Sequence, residues 1–221
     1  MPPVSSSMTT LIGAFLASSA IVAWGLSRNS LSPSGGAAAF VVGFVTMMAG
    51  VDFGVALVYF FVSSSLITKF GHKRKAAIED GYVAGGRRSA VQVLANGLTG
   101  TVAAGIYWYH EAQDCRSPLL LTLVCAFIGH YGCCIGDTWA SELGVLSKSK
   151  PILLTTLRTV PTGTNGAISL VGTLASIAGG LSLGIVFYVT SLLTRQPPCA
   201  YPPSIIVLGL LSGLVGSLVQ Y

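Results

Sequence analysis

Long apolar stretches, separated by short polar or charged ones, divide this chain near residues 8 to 26, 36 to 67, 89 to 109, 118 to 146, 164 to 194 and 203 to 220. Each carries few or no charges and reaches about the 20 residues that a helix needs to cross a bilayer. None alternates apolar and polar positions as a barrel strand does. The pattern therefore predicts an all-α fold, a polytopic transmembrane helical bundle of about six or seven helices. The second stretch, roughly 30 residues, is too long for one simple crossing, and Gly50, Val51, Asp52 and Phe53 interrupt it. It reads as two helices or one broken helix. The first stretch follows a leader, Met1 to Ser7, without Lys or Arg, and is long for a cleaved signal, so it reads as a retained helix.

Composition agrees. Of 221 residues, 52% are hydrophobic and 9% charged, and mean hydropathy is +0.74. Soluble domains carry about 25% charged residues, so residues 1–221 read as a single integral membrane domain. The positive charges orient it. Lys69, Lys73, Arg74, Lys75, Arg87 and Arg88 lie between 69 and 88, and Lys148, Lys150 and Arg158 between 147 and 163, so two loops separated by two crossings hold nine of the 12 basic residues. The positive-inside rule makes their shared face cytosolic, or its organellar equivalent. If 36 to 67 crosses twice, Arg28 joins that face and only Arg116 and Arg195 oppose it.

Against this apolar background the segment GDTWASELG, Gly136 to Gly144, stands out, because the chain has only seven acidic residues and two of them, Asp137 and Glu142, fall here. A carboxylate at membrane depth is unfavourable by roughly 3 kcal/mol on insertion scales, so a retained one faces a cavity, a cation or a partner. Counting from Pro118 at about 1.5 Å per residue, Asp137 reaches the basic face. Two carboxylates suit Mg²⁺ held jointly with phosphate oxygens; the competing reading is a polar lock between helices. A second constellation is GGRRSAVQVLANG, Gly85 to Gly97. Here Arg88, Gln92 and Asn96 recur every four residues, forming a polar stripe that descends from the basic loop. Arg87 and Arg88 stand where a helix begins and could hold phosphate, although basic anchoring alone also accounts for them. A third, PTGTNGAISLVG, Pro161 to Gly172, is a Gly-rich turn in which Thr164 or Asn165 would cap the following helix; its backbone N–H groups, from Gly163 to Gly166, favour an anion. Gly172, Ser176, Gly180 and Gly184 repeat every four residues and read as a close helix contact.

Other chemistry is less well supported. The five cysteines show no zinc spacing: Cys125, Cys133 and Cys134 read as small apolar residues, and Cys115 and Cys199 lie in loops on one side, where a disulfide is feasible. His72, His110 and His130 form no acid–base arrangement with a nucleophile, and neither a P-loop nor a dinucleotide fingerprint is present.

In this order and spacing GGRRSAVQVLANG, GDTWASELG and VPTGTNGAISLVGTLAS, with LSPSGGAAAFVVGF from Leu31 to Phe44, resemble the integral membrane family that contains transmembrane protein 19 and the plant phytyl-phosphate kinase; transmembrane protein 19 looks the nearer. The resemblance implies transfer of a phosphoryl group from a nucleoside triphosphate, CTP in the first instance, to an isoprenoid monophosphate. Three departures stand beside it: Arg87 where the family has Gln, Ala167 where it has a second glycine after Gly166, and a C-terminal GLVGSLVQY that lacks the expected Asp-Ser and resembles a shortened form.

Two readings stay open. In the first, a lipid kinase, Asp137 and Glu142 are the catalytic pair and hold Mg²⁺, while Arg87, Arg88, Gln92, Asn96 and the turn of Gly163, Thr164, Asn165 and Gly166 bind substrate. In the second, a transporter or lipid-binding protein uses the same pocket without chemistry. The expected partners are the bilayer and an isoprenoid phosphate, and no nucleic acid.

Overall fold

The computed structural model describes residues 8–72, 86–111, 117–164, 166–195 and 199–219. Among them are seven helices: α1 Met8–Ser27, α2 Pro33–Met48, α3 Val51–Lys69, α4 Ala90–His110, α5 Pro118–Gly144, α6 Leu170–Thr194 and α7 Ser204–Val219. Of these α1, α3, α5 and α6 are long and apolar enough to cross a membrane unaided. The all-α membrane bundle is the fold.

The 36 to 67 stretch is two antiparallel helices. The chain breaks at Ala49 and Gly50, where Gly50 takes φ +147°, and Asp52 stands in the first turn of α3. Both outer ends of this hairpin return to one level. Leu31 forms a parallel bridge to Arg88, and Lys69 Nζ donates to the Arg28 carbonyl at 2.6 Å. Arg28, Lys69 and Arg88 therefore share one end of the bundle, which fits the double crossing. The end of α5 is at that level too, since a side chain at Gly71 would run into Leu146. Lys73, Arg74 and Lys75 lie outside the described residues.

Helix starts follow from local chemistry. Ser32 caps α2 by accepting from Gly35 N at 3.0 Å, with Pro33 at the first helical position, where the missing N–H is harmless. Ser89 and Gln92 form a capping box at α4. Gly35 also sets how closely two segments approach, because a Cβ there would collide with the Arg88 carbonyl. Only glycine lets the strand carrying Arg88 lie across the start of α2.

The core is aromatic. Phe53, Phe127, Phe187, Tyr131 and Tyr107 are fully buried, and the Phe53 ring lies 4.6 Å from Phe127 and 5.4 Å from Phe187. Beside it α5, α6 and α7 pack backbone to backbone. A Cβ at Gly136 would stand 2.6 Å from Gly213 Cα, and one at Gly180 would strike the Gly209 carbonyl, so the Gly172-to-Gly184 stripe is the close contact its spacing predicts.

The expected start of the last-but-one segment near 164 is not where its helix begins. The helix begins at Leu170, capped by Ser169, which accepts from Gly172 N at 3.1 Å; Thr164 instead donates its hydroxyl to the Pro161 carbonyl. Before it, β1 Ile152–Leu153, β2 Arg158–Thr159 and β3 Ala167–Ile168 form a small antiparallel sheet in the order β2-β1-β3. Two-residue strands give no readable alternation, so hydropathy could not reveal them.

Candidate functional site at the basic face

A polar cavity of about 230 Å³ opens at the end of the bundle that carries Arg28, Lys69 and Arg88. Five elements build it. Ser30 comes from the α1–α2 turn, Ser65 and Thr68 from the end of α3, and Gly86 and Arg88 from the strand before α4. Gln92 and Asn96 follow from the first two turns of α4, and Asp137, Thr138, Ser141 and Glu142 from the last two turns of α5. The two polar stripes, more than 40 residues apart in the chain, thus meet around one space. Arg88, Gln92, Asn96, Asp137 and Glu142 are brought together there.

Arg88 is positioned three ways. Its N–H donates to the Ser30 carbonyl and its own carbonyl accepts from Ser32 N, both at 3.1 Å. Its Nη1 donates to Ser65 Oγ at 2.9 Å, and its guanidinium lies over the Phe61 ring, 5.5 Å from the centroid. Burial pushes its pKa down and the Glu142 carboxylate works against that. An arginine stays charged under both influences, so the cavity keeps a fixed cation facing two carboxylates.

Oxygen donors dominate the α5 side. Thr138 Oγ1 donates to the Cys134 carbonyl at 2.8 Å and Ser141 Oγ to the Thr138 carbonyl at 3.2 Å, which commits each hydroxyl proton and leaves the lone pairs toward the cavity. Two carboxylates with neutral oxygens suit a hard cation that keeps water and phosphate in its shell. An all-protein cage is absent: no group of three His, Cys, Asp or Glu residues converges among the described residues. In donor type the carboxylates and hydroxyl oxygens suit Mg²⁺.

Not every predicted residue joins this cavity. Arg87 turns away and donates through Nη2 to Asn29 Oδ1 on the exposed surface. Gly163 and Thr164 line a separate turn cavity of about 170 Å³, together with Gly144, Ser169 and Gly172. Ser141 lines both spaces, which lie on either side of the α5 end. Gly166 takes φ +79° and Gly163 φ +91°, so the turn is glycine-dependent, but it stands apart from Arg88. Asn165 and Gly85 lie outside the described residues. Gln92 serves the fold as well, since its Oε1 accepts from Ser89 N at 2.8 Å.

Sequence reasoning missed Ser30, Ser65, Thr68 and His130. The run Ser63-Ser64-Ser65 with Thr68, at the end of an apolar helix, was a usable signal for the middle pair. His130 Nε2 lies 2.9 Å from the Asn96 carbonyl and fixes α4 against α5 just below the cavity. Cys125, Cys133 and Cys134 are free thiols, and Cys199 is disulfide-bonded; Cys115 lies outside the described residues.

Comparison with known proteins now decides the family. The model for "Integral membrane protein DUF92" matches residues 16–220, nearly the whole chain. The chain belongs to this family. It is 39% identical over 221 residues to Protein PGR of Arabidopsis thaliana, covering 95% of this chain and 76% of that protein. It is 32% identical over 186 residues to a membrane protein of Synechocystis sp., covering 83% and 69%. Protein VTE6, chloroplastic, also of Arabidopsis thaliana, is 33% identical over 159 residues, which are 72% of this chain and 47% of that protein. No solved structure matches. Membership in this integral membrane family agrees with the resemblance carried by the three motifs, each of which falls within the matched residues.

Proposed function

We propose that this DUF92 protein binds an isoprenoid monophosphate at the membrane face and transfers to it the terminal phosphoryl group of a nucleoside triphosphate, CTP in the first instance. The observation that carries the reading is the convergence of Arg88, Asp137 and Glu142 on one polar cavity at the basic end of the bundle. Two carboxylates repel a phosphate, and one arginine does not offset both, so a phosphorylated ligand enters with a cation. Asp137 and Glu142 would hold Mg²⁺, which neutralises charge on phosphate oxygens when bound. Arg88 would hold the lipid phosphate through its paired N–H donors. The substrate's phosphate oxygen attacks the terminal phosphorus, the bond to the bridging oxygen breaks, and a lipid diphosphate and nucleoside diphosphate leave. No covalent intermediate is needed, because phosphoryl transfer relies on positioning and charge neutralisation.

Two substrates call for adjoining compartments. Ser141 lines both the polar cavity and the turn cavity, and the turn would offer the Gly163 N–H to the nucleotide. The test is turnover by purified protein in lipid nanodiscs with phytyl or geranylgeranyl phosphate, CTP and Mg²⁺. Prenyl diphosphate and CDP should form in equal amounts. Binding of the lipid phosphate without nucleotide consumption, over a full magnesium titration, would replace the kinase with a lipid-binding or transport protein.

A further inference from the structure

A second, apolar space adjoins the polar cavity and is not used by the chemistry above. It is a slot of about 70 Å³ between α1, α2, α3 and α4, and its lining is almost wholly apolar apart from its upper rim. That rim is Arg88, Gln92 and Asn96, the same three residues that line the polar cavity. Below it the slot is shaped by Ala39, Val42, Val58 and Phe61, and it reaches Met47 near the far end of α2. Along α2 the lining runs from Ala39 to Met47, roughly 12 Å at the helical rise. A cation at the rim of an apolar slot matches a molecule with a phosphate at one end and a hydrocarbon chain at the other.

We infer that this slot receives the hydrocarbon chain of the lipid phosphate whose head group occupies the polar cavity, with Arg88 at the junction. The inference rests on the phosphate reading of that cavity and adds where the chain lies and what shape it has. An engineered cavity of about 150 Å³ admits benzene, so the present slot takes a stretch of one slender chain and rejects a fused ring system or a second acyl chain. Apolar walls fit a hydrocarbon chain, whereas a short phosphate ester has only the head-group contacts.

The test fills the slot and leaves the head site untouched. Ala39→Phe and Val58→Trp each add bulk at half-buried lining positions on different helices, so a folding defect in one does not remove the test. Binding of radiolabelled geranylgeranyl phosphate and of isopentenyl phosphate is measured in nanodiscs with Mg²⁺, after melting curves confirm an intact fold. Wild type should hold the long-chain ester at least tenfold more tightly. Either filling variant should erase that advantage while isopentenyl phosphate binds as before, and Arg88→Ala should weaken both esters. Folded filling variants that retain wild-type affinity for geranylgeranyl phosphate would overturn the slot alone. Failure of wild type to bind either ester would overturn the phosphate reading, and the slot with it.

Discussion

The bundle carries an arginine at each end, and the two are handled differently. Arg195, after α6, is enclosed by acceptors: Nε and Nη2 hold both oxygens of Asp52 at 2.6 and 2.9 Å, Nη1 donates to Glu111 at 2.7 Å and to Tyr107 Oη at 2.8 Å, and Nη2 also reaches the Ala49 carbonyl at 3.4 Å. The rings of Tyr201 and Tyr107 stack against it at 5.0 and 5.2 Å. Burial lowers its pKa and the hydrogen-bonded Asp52 more than reverses that, so it ends raised. Arg88 is anchored by one serine and one ring and faces a cavity with two carboxylates beyond. A saturated arginine ties helices together. An arginine anchored on one side and open on the other is available to a ligand.

The sharpest break in this comparison is in stability. Asp52 is wholly buried and Arg195 nearly so, and removing one member of a buried pair strands the other, which destabilises by about 3–5 kcal/mol. Asp52→Ala or Arg195→Ala should therefore lower the melting temperature in detergent sharply or prevent recovery of monodisperse protein. The double variant Asp52→Leu with Arg195→Met should recover much of the loss, because neither member of the buried pair is stranded and Glu111, which loses its arginine, is partly exposed to water. Were Arg195→Ala to melt like the wild type, the far cluster would not be the lock described here.

Much of the fold was legible in the sequence, and the reasons are physical. Apolar length marked the helices, and four-residue spacing put Arg88, Gln92 and Asn96 on one stripe. The meeting of that stripe with Asp137 and Glu142 was expected from membrane depth, since polar groups in hydrocarbon require partners. The Arg195 cluster was not foreseen. Its members Asp52, Tyr107, Glu111 and Tyr201 come from separate places in the chain, and no local spacing links them to Arg195. A hint existed, since Arg195 and Asp52 are isolated charges at the same face of opposite-running segments. Which cavity the turn of Gly163 and Thr164 borders was not legible, because a Gly-rich turn before a helix does not say what it faces; it lines the cavity on the other side of the α5 end.

Next in size is the loss of function at the open end. Asp137→Asn keeps shape and hydrogen bonding but removes a charge that would hold the cation, so magnesium-dependent turnover should fall at least 100-fold while melting shifts by only a few degrees. Arg88→Ala should raise KM for the lipid phosphate about tenfold, the equivalent of about 1.4 kcal/mol, with a smaller change in kcat unless the arginine touches the transferred group. Its effect on stability should stay well below that of Arg195→Ala, measured side by side in the same detergent. An Arg88 variant that lost as much stability as the Arg195 variant, with KM unmoved, would make both arginines structural.

The smallest effect belongs to Arg87, next in the chain to Arg88. Sequence alone could not separate the two, since both stand before the same helix and carry the same charge. The fold separates them: the extended strand sends alternate side chains to opposite sides, Arg88 toward Ser65 and the cavity, Arg87 toward Asn29 at the surface. An exposed contact of this kind contributes at most about 1 kcal/mol. Arg87→Gln should therefore leave lipid-phosphate affinity and turnover within twofold of wild type, measured with the same substrate that resolves the Arg88→Ala loss. A tenfold KM increase from Arg87→Gln would mean that the head group sits over the outer surface of the strand, and the cavity facing Asp137 and Glu142 would lose its claim to the phosphate.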